Sequence, residues 1–172
     1  MPNTTFIMLA GYNSWANARL YDAAARMPDE AYRRDGGAFF GSVHRTLNHL
    51  LVTDRIWLKR FGVRDDAPDR LDAVLFDELP SLRAARVEED ARIEAWTAGL
   101  WEDDLRKPVS YRRATSPELI RQPLASALTH LFNHQTHHRG QIHALMTALG
   151  GRDFAPSLDL IVYQRETGVG MS

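Results

Sequence analysis

Residues 124–149 read LASALTHLFNHQTHHRGQIHALMTAL. The stretch contains no proline, and its apolar residues recur at the spacing of one helical face, which predicts a long amphipathic helix after Pro123. Gly150 and Gly151 follow the stretch and predict the end of that helix. Five of the chain's seven histidines lie in the stretch, so a metal site is the first function to consider for it.

Two of these histidines, His134 and His138, lie four residues apart on the apolar stripe. On a helix this spacing places their Cβ atoms ~5–6 Å apart on one face, so both imidazoles can bind one ion at a nitrogen–zinc distance of about 2.0–2.1 Å. A single histidine on an apolar face is more often a hydrogen-bonded core residue, whereas a pair at this spacing favours metal binding. His137 falls on another side and is predicted at the surface. His130, one turn before His134, remains a rival ligand.

A third ligand must come from outside this helix, where the chain has only His44 and His49. Both lie on the second predicted helix. His49 shares a side with Val52 and Ile56, away from the main apolar stripe, so periodicity does not choose between the two histidines. The chain contains no cysteine, so any metal must take nitrogen and oxygen ligands.

Three further long helices are predicted from apolar residues at steps of three and four. The second begins at Ser42 as N-cap, and the third begins at Ser81 as N-cap after Pro80. The helices are expected at Thr4–Met27, Ser42–Phe61 and Ser81–Leu100, with a short terminal helix at Ser157–Arg165.

Between residues 101 and 123 the helical period is lost. Val109–Arg113 and Glu118–Arg121 flank the turn-like segment Thr115–Pro117, which predicts a small β-hairpin. The sequence therefore indicates an all-α fold: a four-helix bundle with a long, hairpin-bearing connection before the last long helix. At 172 residues, a single domain covering residues 1–172 is expected.

Three polar residues fall on apolar helix faces, where each needs a partner. Asn13 is either a polar anchor of the core or part of a site wall. Asp54 is expected to pair with an arginine or asparagine of helix one, the alternative being a role close to the metal. Glu89 is expected at a wet interface, the alternative being a base that supports the metal site.

Composition argues against several other functions. Lysine plus arginine (21) nearly balances aspartate plus glutamate (22), so no overall field draws the chain to nucleic acid or to an anionic membrane. No basic residue precedes the short apolar patch near the N-terminus, so a signal peptide is not expected. No apolar run approaches the ~20 residues that cross a bilayer. A soluble cytoplasmic protein is the expectation.

Three segments together resemble the DinB/YfiT-like family, a group of metal-binding proteins proposed to be enzymes. They are YNSWAN at 12–17, NHLLVTDRIW at 48–57 and the histidine-rich stretch at 130–141, in which HQTHHRGQ at 134–141 is the most specific part. LDLI at 158–161 fits the family's closing segment, so the resemblance covers nearly the whole chain.

This resemblance implies a four-helix bundle with one histidine ligand from helix two and two from the last helix, here His49, His134 and His138. It thereby favours His49 over His44. It also implies a bound divalent metal, often nickel or zinc and sometimes iron, and a homodimer. No nucleic-acid partner is expected.

Characterised relatives of the wider superfamily include S-transferases and isomerases that use low-molecular-weight thiols. The first expectation is therefore a metal-dependent S-transferase that joins such a thiol cosubstrate to a small electrophile. The first alternative is a hydrolase that uses a metal-bound water, which would benefit from a carboxylate base such as Asp54 or Glu89. The second is a metal-binding stress-response protein without turnover.

Overall fold

Seven α-helices and one β-hairpin make up the computed structural model, which describes residues 3–113 and 116–171. In chain order the elements are α1 (Thr4–Ala24), α2 (Asp29–Arg33), α3 (Val43–Arg60), α4 (Leu79–Ala98), α5 (Glu102–Arg106), β1 (Pro108–Arg113), β2 (Ser116–Pro123), α6 (Leu124–Gly150), a 3-10 helix (Arg152–Phe154) and α7 (Leu160–Thr167).

The four long helices α1, α3, α4 and α6 pack as a four-helix bundle, which confirms the predicted fold class. Helices α1 and α3 each pack against both α4 and α6, so α1 lies diagonally across from α3. Two apolar clusters fill the interior. One contains Leu47, Leu82 and Ile142, and the other contains Leu58 and Leu128. Throughout the described residues, each helix is too short or too polar to span a lipid bilayer.

Most ends of the long helices lie close to where the sequence predicts them. The Ser42 hydroxyl accepts a hydrogen bond from the Arg45 N–H at 3.2 Å, as expected of an N-cap. Helix α6 ends at Gly150, and its C-cap is Gly151, whose φ is +91°. The prediction of Ser81 as an N-cap is wrong, because α4 begins at Leu79 and takes Pro80 into its first turn. A proline is tolerated there because the first turn needs no N–H donor.

The hairpin before α6 is confirmed, with Tyr111 opposite Ile120 in an antiparallel register. Thr115 of the predicted turn lies outside the described residues, whereas Ser116 and Pro117 belong to β2. The hairpin packs against α3 and α6, and the Tyr111 ring lies 5.0 Å from that of Trp57. It therefore forms a wall over the groove between these two helices.

Two short helices and the exact position of α7 were not predicted. Helices α2 and α5 have five residues each, which is too short for a periodic pattern to stand out. Helix α7 begins at Leu160, three residues later than expected. Its Tyr163 packs against Tyr12 of α1, with ring centroids 6.0 Å apart, and so closes one side of the bundle.

Candidate metal centre

Helices α3 and α6 bring His49, His134 and His138 together. His134 and His138 lie one turn apart on α6, with ring centroids 4.4 Å apart. His49 faces them from α3, with its ring centroid 5.3 Å from His134 and 4.6 Å from His138. Each imidazole offers one nitrogen within 4.8 Å of the other two. The three side chains form a group that could hold one metal ion.

The tautomer of His49 follows from its hydrogen bond. Its Nδ1 lies 2.7 Å from the backbone carbonyl oxygen of Leu71, and a carbonyl can only accept, so Nδ1 carries the proton. The other nitrogen, Nε2, is buried and has no hydrogen-bond partner among the described residues. A buried acceptor without a partner is costly, and a metal ion at Nε2 would satisfy it. His49 therefore fits a metal ligand held by a backbone carbonyl.

His138 is oriented in a similar way by Gln141, one turn further along α6. Its Nδ1 donates to the Gln141 Oε1 at 2.9 Å, and the Gln141 amide nitrogen in turn donates to the Nε2 of His137 at 3.1 Å. This leaves the Nε2 of His138 free for an ion. Gln141 was not among the predicted site residues. Its position three residues after His138 places both on one helical face, so the spacing could have indicated its role. His137 is exposed, as predicted.

Burial sets the protonation state of the group. It lowers the pKa of His49 to about 4 and that of His134 to about 3, and it also lowers the pKa of His138. All three imidazoles are therefore neutral at pH 7. Neutral imidazole is the form that binds a metal ion.

An aromatic side chain covers one side of the histidine group. Phe40 stacks on His49, with ring centroids 3.8 Å apart, and its ring lies 5.5 Å from His138. Phe40 belongs to the loop before α3, which is closed by a hydrogen bond from the Gly36 N–H to the Gly41 carbonyl at 2.9 Å. No periodic pattern in this segment indicates the contact.

A cavity of about 470 Å³ begins beside the histidine group and follows the groove between α3 and α6 to the hairpin. Its wall combines aromatic, polar and cationic side chains: His49, Thr53, Trp57, Arg60, Leu71, Tyr111, Gln122, Ser126, His130 and His134.

The two rival ligands have other positions. His130 lies on the cavity wall, with its ring centroid 5.8 Å from that of His134. His44 is buried elsewhere: its Nε2 lies 3.3 Å from the Phe76 carbonyl oxygen, and its ring packs against Tyr32. The structure therefore separates His44 from the group that contains His49.

Two of the three polar candidates lie in a charged layer across the middle of the bundle. Asn13 donates to Asp90 at 3.1 Å and accepts from Arg139, so it is a polar anchor of the core. Asp54 pairs with Arg86 at 2.6 Å and accepts a hydrogen bond from Gln135. Its partners thus come from α4 and α6 rather than from helix one as expected.

Glu89 contacts three arginines. Its carboxylate lies 2.8 Å from Arg64, 3.1 Å from Arg55 and 3.3 Å from Arg92. The side chain is 1 % exposed, so the expected wet interface is wrong: the position is a buried ion cluster. Like Asp54, Glu89 uses its oxygens to neutralise arginines.

Comparison with known proteins agrees with this architecture. The DinB family profile matches residues 1–167. The protein DinB of Bacillus subtilis (strain 168) is 24% identical over 160 residues, which cover 91% of this chain and 92% of that protein. The crystal structure of a DinB-like protein from Bacillus cereus ATCC 10987 superposes with a TM-score of 0.61 at 18% identity, over 79% of this chain and 87% of that one. The chain therefore belongs to the DinB family.

Proposed function

We propose that the protein binds a divalent metal ion through His49, His134 and His138 and transfers a low-molecular-weight thiol to a small electrophile. The observation that carries the proposal is the grouping of the three imidazoles beside a cavity of about 470 Å³ whose wall includes His49 and His134. A structural metal site is closed by four protein ligands, whereas a reactive site keeps a position open towards its substrate. Three ligands beside a cavity fit the second class.

The donor set and the family resemblance together limit the choice of metal. Three neutral imidazoles without any thiolate suit zinc, copper, nickel or iron, and among these the resemblance favours nickel or zinc, with iron less frequent. An ion with an open position at such a site lowers the pKa of a bound thiol and stabilises the thiolate. The protein has no cysteine, so the thiol would be an external cosubstrate.

The surroundings of the carboxylates favour thiol transfer over hydrolysis. Hydrolysis would benefit from a carboxylate base close to the reacting water, but Asp54 and Glu89 are both engaged by arginines. In the part of the chain that the structure describes, the residues that line the cavity include neither aspartate nor glutamate. A thiolate needs no such base. Its sulfur forms a bond to the electrophilic carbon, the leaving group departs with the electrons of the broken bond, and the thiol proton passes to solvent.

Metal analysis of protein purified without a histidine tag tests the ligand set. We expect His134→Ala to lose the bound metal, because it removes one of three nitrogens. The matched control is His143→Ala, a half-buried histidine of the same helix that lies outside the histidine group, and this variant should keep full occupancy. Full occupancy in His134→Ala would overturn the ligand assignment.

Activity is tested with the metal-loaded protein, 1-chloro-2,4-dinitrobenzene and one of three thiols, bacillithiol, mycothiol or glutathione. We expect chloride release and formation of the thioether, with loss of both after chelation. If the loaded protein gives no metal-dependent turnover with any of these thiols, the transferase proposal fails, and a metal-binding protein without turnover is supported instead.

A further inference from the structure

Among the described residues that line the cavity, Arg60 has the only cationic side chain. Its Nη2 donates to the backbone carbonyl of Arg112 at 3.1 Å. Within residues 3–113 and 116–171, no carboxylate lies at ion-pairing distance from its guanidinium. The buried Arg86 offers a contrast, because it pairs with both Asp54 and Asp90. Arg60 therefore brings to the cavity a positive charge that no carboxylate of the described residues neutralises.

Two aromatic rings fix the position of this charge. The guanidinium carbon lies 4.6 Å from the centre of the Trp57 ring and 4.5 Å from that of Tyr111, a distance at which a cation is attracted to the ring face. Arg60 is half-buried, and burial lowers its pKa. Its guanidinium is therefore partly shielded from water, and an anionic group of a ligand could provide the hydrogen bonds that water no longer makes.

The spacing along α3 separates Arg60 from the histidine group by a defined length. Arg60 follows His49 by eleven residues, which corresponds to about three turns and a rise of ~16 Å on the same face. Helical side chains lean towards the N-terminus, so Arg60 reaches back towards His49. A ligand between them would span roughly 10 Å, because the arginine side chain covers part of the rise.

We propose that Arg60 binds a carboxylate of the ligand that fills this cavity, and that the ligand's reacting atom lies at the histidine end, about 10 Å away. A guanidinium can hold a carboxylate through two parallel hydrogen bonds, and the flanking rings of Trp57 and Tyr111 can pack on the apolar part of the ligand. The role of this ligand as thiol or electrophile rests on the proposed function. The anion site itself does not.

A binding experiment on chelator-treated protein tests the anion site alone. Calorimetric titration should show that 4-phenylbutyrate binds about 10-fold to 100-fold more tightly than 4-phenylbutan-1-ol, the range of a charge-assisted hydrogen bond. Arg60→Gln should abolish this preference, and Arg60→Lys should keep part of it, because the charge remains. Lys59→Gln is the matched control, since Lys59 is exposed on the same turn. Equal affinities in the wild type, or an equal loss in Lys59→Gln, would overturn the proposal.

A kinetic experiment on metal-loaded protein identifies which reactant carries the carboxylate. One pair of electrophiles is 4-(4-chloro-3-nitrophenyl)butanoate and its amide, and one pair of thiols is 8-mercaptooctanoate and 8-mercaptooctan-1-ol. A 10-fold to 100-fold loss of kcat/KM in Arg60→Gln for the anionic member of one pair assigns the carboxylate to that reactant. An unchanged anionic-to-neutral ratio in both pairs overturns the role of Arg60. If no turnover is seen but the protein still binds the carboxylate more tightly than the alcohol, the transferase proposal is refuted and the anion site stands.

Discussion

Replacing His49 with glutamine should remove part of the acid sensitivity of the metal-free protein. His49 is 4 % exposed, and burial lowers its pKa from 6.5 to about 4. The folded state therefore holds this imidazole neutral, while the unfolded chain binds a proton below pH 6.5. The stabilising contribution is complete above pH 6.5 and is lost as the pH falls towards 4.

The size of the effect follows from proton linkage. One proton taken up only by the unfolded state changes the free energy of unfolding by about 1.4 kcal/mol per pH unit. Between pH 7 and pH 5, His49 should therefore account for a loss of about 2 kcal/mol. Glutamine removes the titration, and its amide can still donate to the carbonyl of Leu71. The variant should lose about 2 kcal/mol less than the wild type over this interval.

Urea unfolding of chelator-treated protein at pH 7 and pH 5 measures this difference. The wild-type curve alone does not isolate the contribution of His49. Burial raises the pKa of Asp54 and Asp90, so protonation of these carboxyls makes the folded state more stable as the pH falls. Their contribution cancels when the pH effect on His49→Gln is subtracted from that on the wild type. His143→Gln, at a half-buried position of the same helix outside the histidine group, should behave as wild type. If His49→Gln changes stability equally at both pH values, the imidazole is not held neutral by burial.

Two further predictions concern the support of the site and of the bundle. Gln141→Ala should weaken zinc binding by roughly 10-fold to 100-fold without unfolding the protein, because it removes the acceptor that orients His138. A competition titration with a chromophoric chelator measures this, and an unchanged affinity would remove the orienting role. Arg86→Met should destabilise the protein by about 3–5 kcal/mol, since it leaves buried carboxylates without their cation. Arg83→Met, at a more exposed pair with Asp22, should cost less than about 1 kcal/mol in the same urea titration.

The fold could be predicted from the sequence where a periodic pattern was long enough to be read. The last long helix is the clearest case, since Pro123 and Gly151 mark both of its ends and no proline lies between them. The predicted start of the third long helix is wrong because Ser81 after Pro80 resembles an N-cap, although a proline is equally suited to the first turn. Five-residue helices such as α2 depend on packing against the core, which no local pattern records.

The site was predictable only in part, for a reason that lies in the packing. His134 and His138 belong to one helix, so their spacing alone places them on one face. The choice between His44 and His49 depends on which face of α3 turns towards α6, and that is set by the packing of the whole bundle. Family resemblance favoured His49, and the structure places it beside the other two. The Leu71 carbonyl is 22 residues away from the imidazole it holds, so no local pattern could reveal it.

The charged layer in the middle of the bundle includes residues of α3 and α6, the two helices that carry the histidine group. Gln135 follows His134 on α6 and donates both to the Leu50 carbonyl, at 3.2 Å, and to Asp54, and Leu50 itself follows His49. These bonds therefore tie α6 to α3 directly beside the imidazoles. Sliding one helix along the other by a single turn, about 5.4 Å, would leave Asp54 without the Gln135 donor and would bury unpaired polar atoms. The same slide would separate His49 from His134, so the cost of breaking the layer also opposes disassembly of the histidine group.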